Sequence, residues 1–198
     1  MTHNLRNRVA LITGASRGIG KGIARTFAEL GANVVLVSRE ASAGAKTSAE
    51  LRAITGANVV SCSGDVTDLS SMRNAATVAA EKFGGLDILC ANAGIFPSTP
   101  LVEMTLDEWD KVFDVNVRGT LVSVQACLPF LRESDAGRIV VTLPSLGQLR
   151  DSRAGPTTAL QELRSWALFG RPLSSYRDTE SVLMRFCLGI SKPKVWRT

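Results

Sequence analysis

The sequence is poor in the residues on which several kinds of protein depend. It holds one histidine, His3, in a terminal stretch expected to fray, so no role falls to it. Its four cysteines, Cys62, Cys90, Cys127 and Cys187, show neither metal-ligand nor disulfide-framework spacing. They are expected to be buried thiols of a reducing cytoplasm, and no metal is expected. No apolar run approaches about 18 residues, so no membrane span is expected. No signal-peptide cleavage pattern opens the chain, because its first apolar run reads as a strand. There is also only one tyrosine, Tyr176, with Glu180 four residues on, and no Tyr-x-x-x-Lys anywhere.

The net charge of +5 is a weak pointer to nucleic acid. Divided along the chain, the pointer fades. Residues 1–142 hold 14 basic and 14 acidic residues, so the entire excess lies in 143–198. Those charges form no structured stripe, and no nucleic-acid partner is expected. The division is instead a composition break. With 198 residues, 45% of them hydrophobic, the chain can bury the core of one domain.

What is present centres on TGASRGIG at 13–20. It follows the apolar run 9–12 and opens into the helical pattern Ile19, Ile23, Phe27, Leu30. Strand, glycine-rich turn and helix make a dinucleotide-binding unit. Gly14 allows the tight turn, Gly18 lets backbone approach a pyrophosphate, and Gly20 lets the helix pack close to the sheet. The helix start presents unpaired N–H groups and a positive dipole end.

The rest alternates strand and helix. A continuous apolar run suited to a strand buried on both faces lies at 32–37, another buried strand is expected at 86–90, and further strands at 58–62 and 139–142. Helices are expected over 41–54, 69–83, 106–115 and 117–131, and Asp68 is a good N-cap for the second of these. Trp109 reads as a helix-face packing residue. The expected fold is α/β, a doubly wound parallel sheet of the Rossmann type with at least five strands, over residues 1–142.

Four motifs, in order, carry a resemblance: TGxxxGIG at 13–20, Asp65-Val66, Asn-Ala-Gly at 92–94, and Asn116 within DVNVRG. Over about residues 5–142 the chain resembles a short-chain dehydrogenase/reductase, close to the beta-ketoacyl-carrier-protein reductase-like members. The resemblance implies hydride transfer between a nicotinamide dinucleotide and a ketone or secondary alcohol, and a homo-oligomer. Gly14, Ser16, Arg17, Gly18, Ile19 and Gly20 would hold the pyrophosphate and adenosine ribose. Asp65 would accept from the adenine amino group with Val66 packing beside it, unless its side chain bonds its own turn. Asn92, Ala93 and Gly94 would steady the central strand end and leave room for the nicotinamide ribose. Asn116 would hold a water linking the catalytic lysine to solvent, or else is an ordinary helix-start residue. Arg17 with Arg39, at the end of the second strand, could flank a ribose 2′-phosphate, which favours NADP(H) over NAD(H). The loop 95–101 borders the substrate space but names no compound.

The family pattern stops abruptly after GRIVVT at 137–142. Family chemistry uses a serine that polarises the carbonyl, a tyrosine that exchanges the proton, and a lysine four residues beyond. A phenol with pKa near about 10 is a poor base at neutral pH without that cation. Here Ser145 lies near the serine position, with no tyrosine about a dozen residues on. A single base lost just after codon 142 accounts for the break. With permitted codons, the first base of each restored codon being free, restoring it lets 143–161 read SSITGPVTGFPGWSHYGAS and 172–198 read AAIELPRYGISVNAVLPGNIQTEGLED, both family-like. The tyrosine then falls at Thr157-Thr158, while the lysine position, at Gln161-Glu162, admits only Arg or Gly, a misfit. Residues 143–198 are accordingly expected to be an out-of-frame, poorly ordered basic tail, with one short helix around 158–169. The fold is expected to be incomplete, with the fifth strand an exposed edge, the oligomer compromised, and stability marginal. The chain reads as an oxidoreductase by lineage without turnover, or as a non-catalytic dinucleotide-binding remnant or misfolded product.

Overall fold

The computed structural model describes residues 4–100 and 102–142. His3, Ser145, Tyr176, Cys187 and the stretch 158–169, where a short helix was expected, lie outside the described residues. Five parallel strands form one sheet in the order β3-β2-β1-β4-β5. They are β1 (Val9–Thr13), β2 (Asn33–Ser38), β3 (Val59–Ser63), β4 (Ile88–Ala91) and β5 (Arg138–Val141). The helices between them are α1 (Gly18–Glu29), α2 (Ala41–Thr55), α3 (Leu69–Phe83), α4 (Leu106–Phe113) and α5 (Gly119–Glu133). The doubly wound α/β fold is thus present.

Strand alternation divides the core into two layers. Leu11, Val35, Val37, Leu89, Ile139 and Val141 point to the side covered by Met72 and Ala76 of α3 and Cys127 and Leu131 of α5. Ala10, Ile12, Val34, Leu36 and Cys90 point to the other side, under Ala24 and Ala28 of α1 and Leu51 of α2. Burial on both faces is why these strands read as unbroken apolar runs.

Helix ends follow their local chemistry. Asp68 caps α3, its carboxylate accepting from Ser70 N at 2.9 Å, and α3 closes on Gly84 at φ 85°. The Ser70 hydroxyl and amide hold the Asp68 carboxyl below its ordinary value. Trp109 stacks on Phe113 along α4, ring centroids 4.7 Å apart. One boundary differs from expectation. No break separates α4 from α5; residues Asp114–Arg118 form a π-helical turn that joins them. Such one-turn widenings gather at functional sites.

At the amino-terminal rim of the sheet, Asp87 ties three elements. Its carboxylate accepts from Val9 N at 2.8 Å, Arg8 Nη1 at 3.1 Å and Ser134 Oγ at 2.5 Å. Among the described residues, β5 pairs only with β4.

Cys62, Cys90 and Cys127 are buried and unbonded to one another. Burial pushes the Cys127 thiol up to about 12. Because the thiolate is the reactive form, native protein at pH 8 should leave Cys127 unlabelled by iodoacetamide, with labelling only after denaturation. Peptide mapping checks this, and rapid native labelling would contradict the packing of α5.

Candidate functional site

A cleft of about 930 Å³ opens at the carboxyl ends of β1, β2 and β4. It lies where the strand order reverses, between β1 and β4. Open α/β sheets bind their ligands at this place.

The glycine-rich turn forms its floor. Gly14 and Gly18 have φ of 65° and 56°, backbone that side chains with a Cβ rarely adopt. A Cβ on Gly20 would press into the Gly14 carbonyl oxygen and come within 2.6 Å of Asn92 Nδ2. The N-cap of α1 is Arg17, whose side chain makes no capping bond. A guanidinium has no acceptor to offer. The first N–H groups of the helix therefore stay available to an anion, reinforced by the dipole. Beside Gly18 nothing lies within 4 Å of where a Cβ would be. That open, donor-rich floor fits a pyrophosphate.

Ser16, Arg17, Ile19 and Gly20 line the cleft on this side, as do Gly14 and Gly18. Ile19 is 70% exposed, an apolar side chain left open at the cleft. Arg39 lines the end beyond β2. Neither Arg17 nor Arg39 pairs with a carboxylate among the described residues. Glu40, passed over in the sequence, lines the cleft beside Arg39. Among the described residues its carboxylate accepts a long bond from Ser42 Oγ, 3.3 Å. An acidic residue just past the second strand was the available signal.

Asp65 and Val66 also line the cleft. Asp65 Oδ1 accepts from Thr67 N at 2.9 Å and Thr67 Oγ1 at 2.8 Å. The local-turn reading of this carboxylate is thus present. Val66 is buried, packed where a Cβ on Gly119 would meet it at 2.7 Å.

Asn92, Ala93 and Gly94 form the wall above β4. Asn92 Nδ2 donates to Thr13 O at 3.0 Å, and Asn92 Oδ1 accepts from Thr142 Oγ1 at 3.0 Å. Thr13 Oγ1 in turn accepts from Asn92 N and Ala93 N at 2.9 and 3.0 Å. These bonds lock the ends of β1, β4 and β5 together. Thr13 was the first residue of the motif, and nothing in its type announced this double acceptance.

Asn116 sits inside the π-helical turn, behind the cleft, while its neighbour Val115 reaches the lining. Its Oδ1 accepts from Ile95 N at 2.9 Å and its Nδ2 donates to Ile95 O at 3.0 Å. It is therefore not a helix-start residue, which corrects one of its two readings. Both ends of its amide clamp the backbone of Ile95, just after Gly94. Ile95 and Phe96 of the 95–101 loop line the cleft, and residue 101 lies outside the described residues. Among the described residues no helix is long and apolar enough to cross a membrane.

A parallel sheet reversing its order beside an open, glycine-rich strand-to-helix turn is the architecture of the doubly wound, Rossmann-type class. The chain belongs to the short chain dehydrogenase family, whose profile matches residues 8–154. That match runs past the break expected after 142. An uncharacterized oxidoreductase of Listeria monocytogenes is 34% identical over 83% of this chain and 64% of its own length. Hydroxysteroid dehydrogenase-like protein 2 of Bos taurus is 38% identical over 73% of this chain and 36% of its own. A crystal structure of a short chain dehydrogenase from Burkholderia cenocepacia in complex with NADP matches with a TM-score of 0.73 at 37% identity. It covers 84% of this chain and 67% of that one. The chain thus spans less than two thirds of the length of these curated relatives.

Proposed function

We propose that this chain binds NADP(H) at the cleft and turns over neither ketones nor secondary alcohols. The observation that carries the second half is the missing Tyr-x-x-x-Lys, absent from every position of the sequence. Residues 157–162, where the resemblance puts that pair, are Thr-Thr-Ala-Leu-Gln-Glu. No side chain there can lend a lowered-pKa phenol to a carbonyl oxygen. The frame displaced after codon 142 explains both this loss and the basic tail 143–198. Membership of the beta-ketoacyl-carrier-protein reductase-like group rests on the four motifs named above.

Bound, the dinucleotide supplies the hydride of the family's chemistry. The chain's part is to hold it. Gly14, Gly18, Ile19 and Gly20 offer backbone to the pyrophosphate, and Arg17 with Arg39 offers two cations to a 2′-phosphate. Asp65 accepts from the adenine amino group, and Asn92, Ala93 and Gly94 shape the nicotinamide-ribose wall. The NADP complex of the Burkholderia relative supports this preference, while Glu40 beside Arg39 opposes it.

Full-length protein should bind NADPH more tightly than NADH in a fluorescence titration. It should show no NADPH oxidation above background with a panel of ketones. Turnover at ordinary rates of about 1 per second or more refutes the proposal, and equal affinity for NADH refutes the preference. Coding sequence at codon 142 tests the frame: restoring one base must open a continuous family-like frame.

A second reading, a misfolded product, is favoured by the apolar β5 edge, paired on one side only among the described residues. It requires aggregation on overexpression. A sharp, cooperative melt of a soluble dimer or tetramer is the result that excludes it.

A further inference from the structure

Helix α2 buries a small, partly polar face: Gly44, Thr47, Ser48 and Leu51. Thr47 is 4% exposed. Valine would fill the same volume there with no hydroxyl to satisfy, so the hydroxyl calls for a reason. Its Oγ1 donates to the Ser16 carbonyl at 2.8 Å, between residues 31 apart in the chain. Ser48, on the same face, instead bonds within its helix, to Ala45 O at 3.2 Å.

The Ser16–Arg17 peptide is trans, as are all described peptide bonds. In a trans peptide the C=O and the following N–H point opposite ways across one plane. Fixing the Ser16 carbonyl against α2 therefore also fixes the direction of Arg17 N–H and the start of the Arg17 side chain. The same helix begins at Ala41, directly after Arg39 and Glu40. The backbone of that entry is itself held, with Ser63 Oγ donating to Arg39 O at 3.2 Å and Ser38 Oγ to Glu40 O at 2.9 Å. One helix thus carries Arg39 at its entry and grips the turn of Arg17 from its second turn.

We propose that Thr47 is a positioning residue that sets Arg17 relative to Arg39, and with it the fit of a phosphomonoester on the 2′ position of an adenosine ribose. The proposal rests on the nucleotide reading of the cleft given above. It predicts a selective effect. Losing the bond lets the Arg17 turn drift, which weakens the two-cation grip on a 2′-phosphate. A nucleotide without that phosphate is affected little.

The test uses full-length protein, Thr47→Val and Thr47→Ser, with adenosine 2′,5′-bisphosphate and 5′-ADP as calorimetric probes. Thr47→Val should weaken the bisphosphate about fivefold to tenfold and shift 5′-ADP by no more than about twofold. Thr47→Ser, which retains the hydroxyl, should match the parent. Amide hydrogen exchange across residues 14–20, measured without nucleotide, should quicken in Thr47→Val and not in Thr47→Ser. An equal loss for both nucleotides, or no loss for either, overturns the proposal. So does faster exchange in Thr47→Ser. If the parent binds neither nucleotide, the nucleotide reading itself fails. Exchange then judges the mechanical claim alone, and unchanged exchange in Thr47→Val overturns it.

Discussion

Gly20→Ala should destabilise the protein by about 2–4 kcal/mol, and the sign of that change is the informative part. Gly20 lies inside α1, and replacing a helical glycine by alanine ordinarily stabilises by about 0.5–1 kcal/mol. Here the added methyl would press on the Gly14 carbonyl oxygen, with Asn92 Nδ2 2.6 Å away and Ala15 Cα at 3.0 Å. Two of those three neighbours are backbone of the turn itself, so relief requires the turn to open. The same shift spoils the cradle, and dinucleotide affinity should fall by roughly a hundredfold or more, about 2.7 kcal/mol. Gly22, two residues on, is the control. It is exposed, with nothing within 4 Å of a built Cβ, so Gly22→Ala should raise stability by about 0.5–1 kcal/mol. Urea melts of the two variants decide the matter. Equal and stabilising effects would mean that the close approach of α1 to the turn is absent.

Asn92→Asp should be nearly as damaging although it changes one atom. The amide donates to Thr13 O at 3.0 Å and to Gly14 O at 3.5 Å while accepting from Thr142 Oγ1 at 3.0 Å. A carboxylate keeps the last bond and turns the first two into contacts between acceptors. An expected loss of about 2–4 kcal/mol at pH 7 follows from a charge set against carbonyl oxygens near the buried end of β1. Those oxygens raise the folded-state pKa of the introduced carboxyl above its unfolded value. The folded state then binds the proton more tightly, so the deficit relative to the parent should shrink as pH falls through that titration. Urea midpoints of variant and parent at several pH values measure it. A deficit independent of pH would show that the introduced charge is not facing the carbonyls.

Much of this was written in the residue pattern. The strand and helix order came from apolar runs and 3.6-residue spacing, because burial on both sheet faces leaves runs that no turn residue interrupts. Helix 69–83 was legible to the residue, since Asp68 and Gly84 close its ends with short-range chemistry. The strand expected over 86–90 begins two residues later, at Ile88. Leu86 is buried, so its apolar signal was real, but Asp87 beside it is spent on the Val9 and Arg8 bonds at the sheet rim. The π-helical turn was not legible. Adding a residue to one turn alters no residue type, and Asn116 in it looks like any polar residue between two helices. Site residues named from the glycine-rich motif line one cleft because the strand-to-helix turn concentrates them locally. Thr47 escaped notice for the opposite reason: its role depends on a partner 31 residues away. It matters through a carbonyl, and carbonyls leave no trace in sequence.

The place of β1 in the sheet has a consequence for the order of synthesis. Its register joins Ala10 to Val34 on one side and to Ile88 on the other. As the chain leaves the ribosome, the β1–β2–β3 half can assemble once β3 has emerged. The opposite side of β1 must wait for β4, and at about 5–20 residues per second that wait lasts on the order of seconds. For that interval the nascent half-domain offers a raw central strand edge beside an apolar face. It is the stage at which the polypeptide most needs a chaperone's cover.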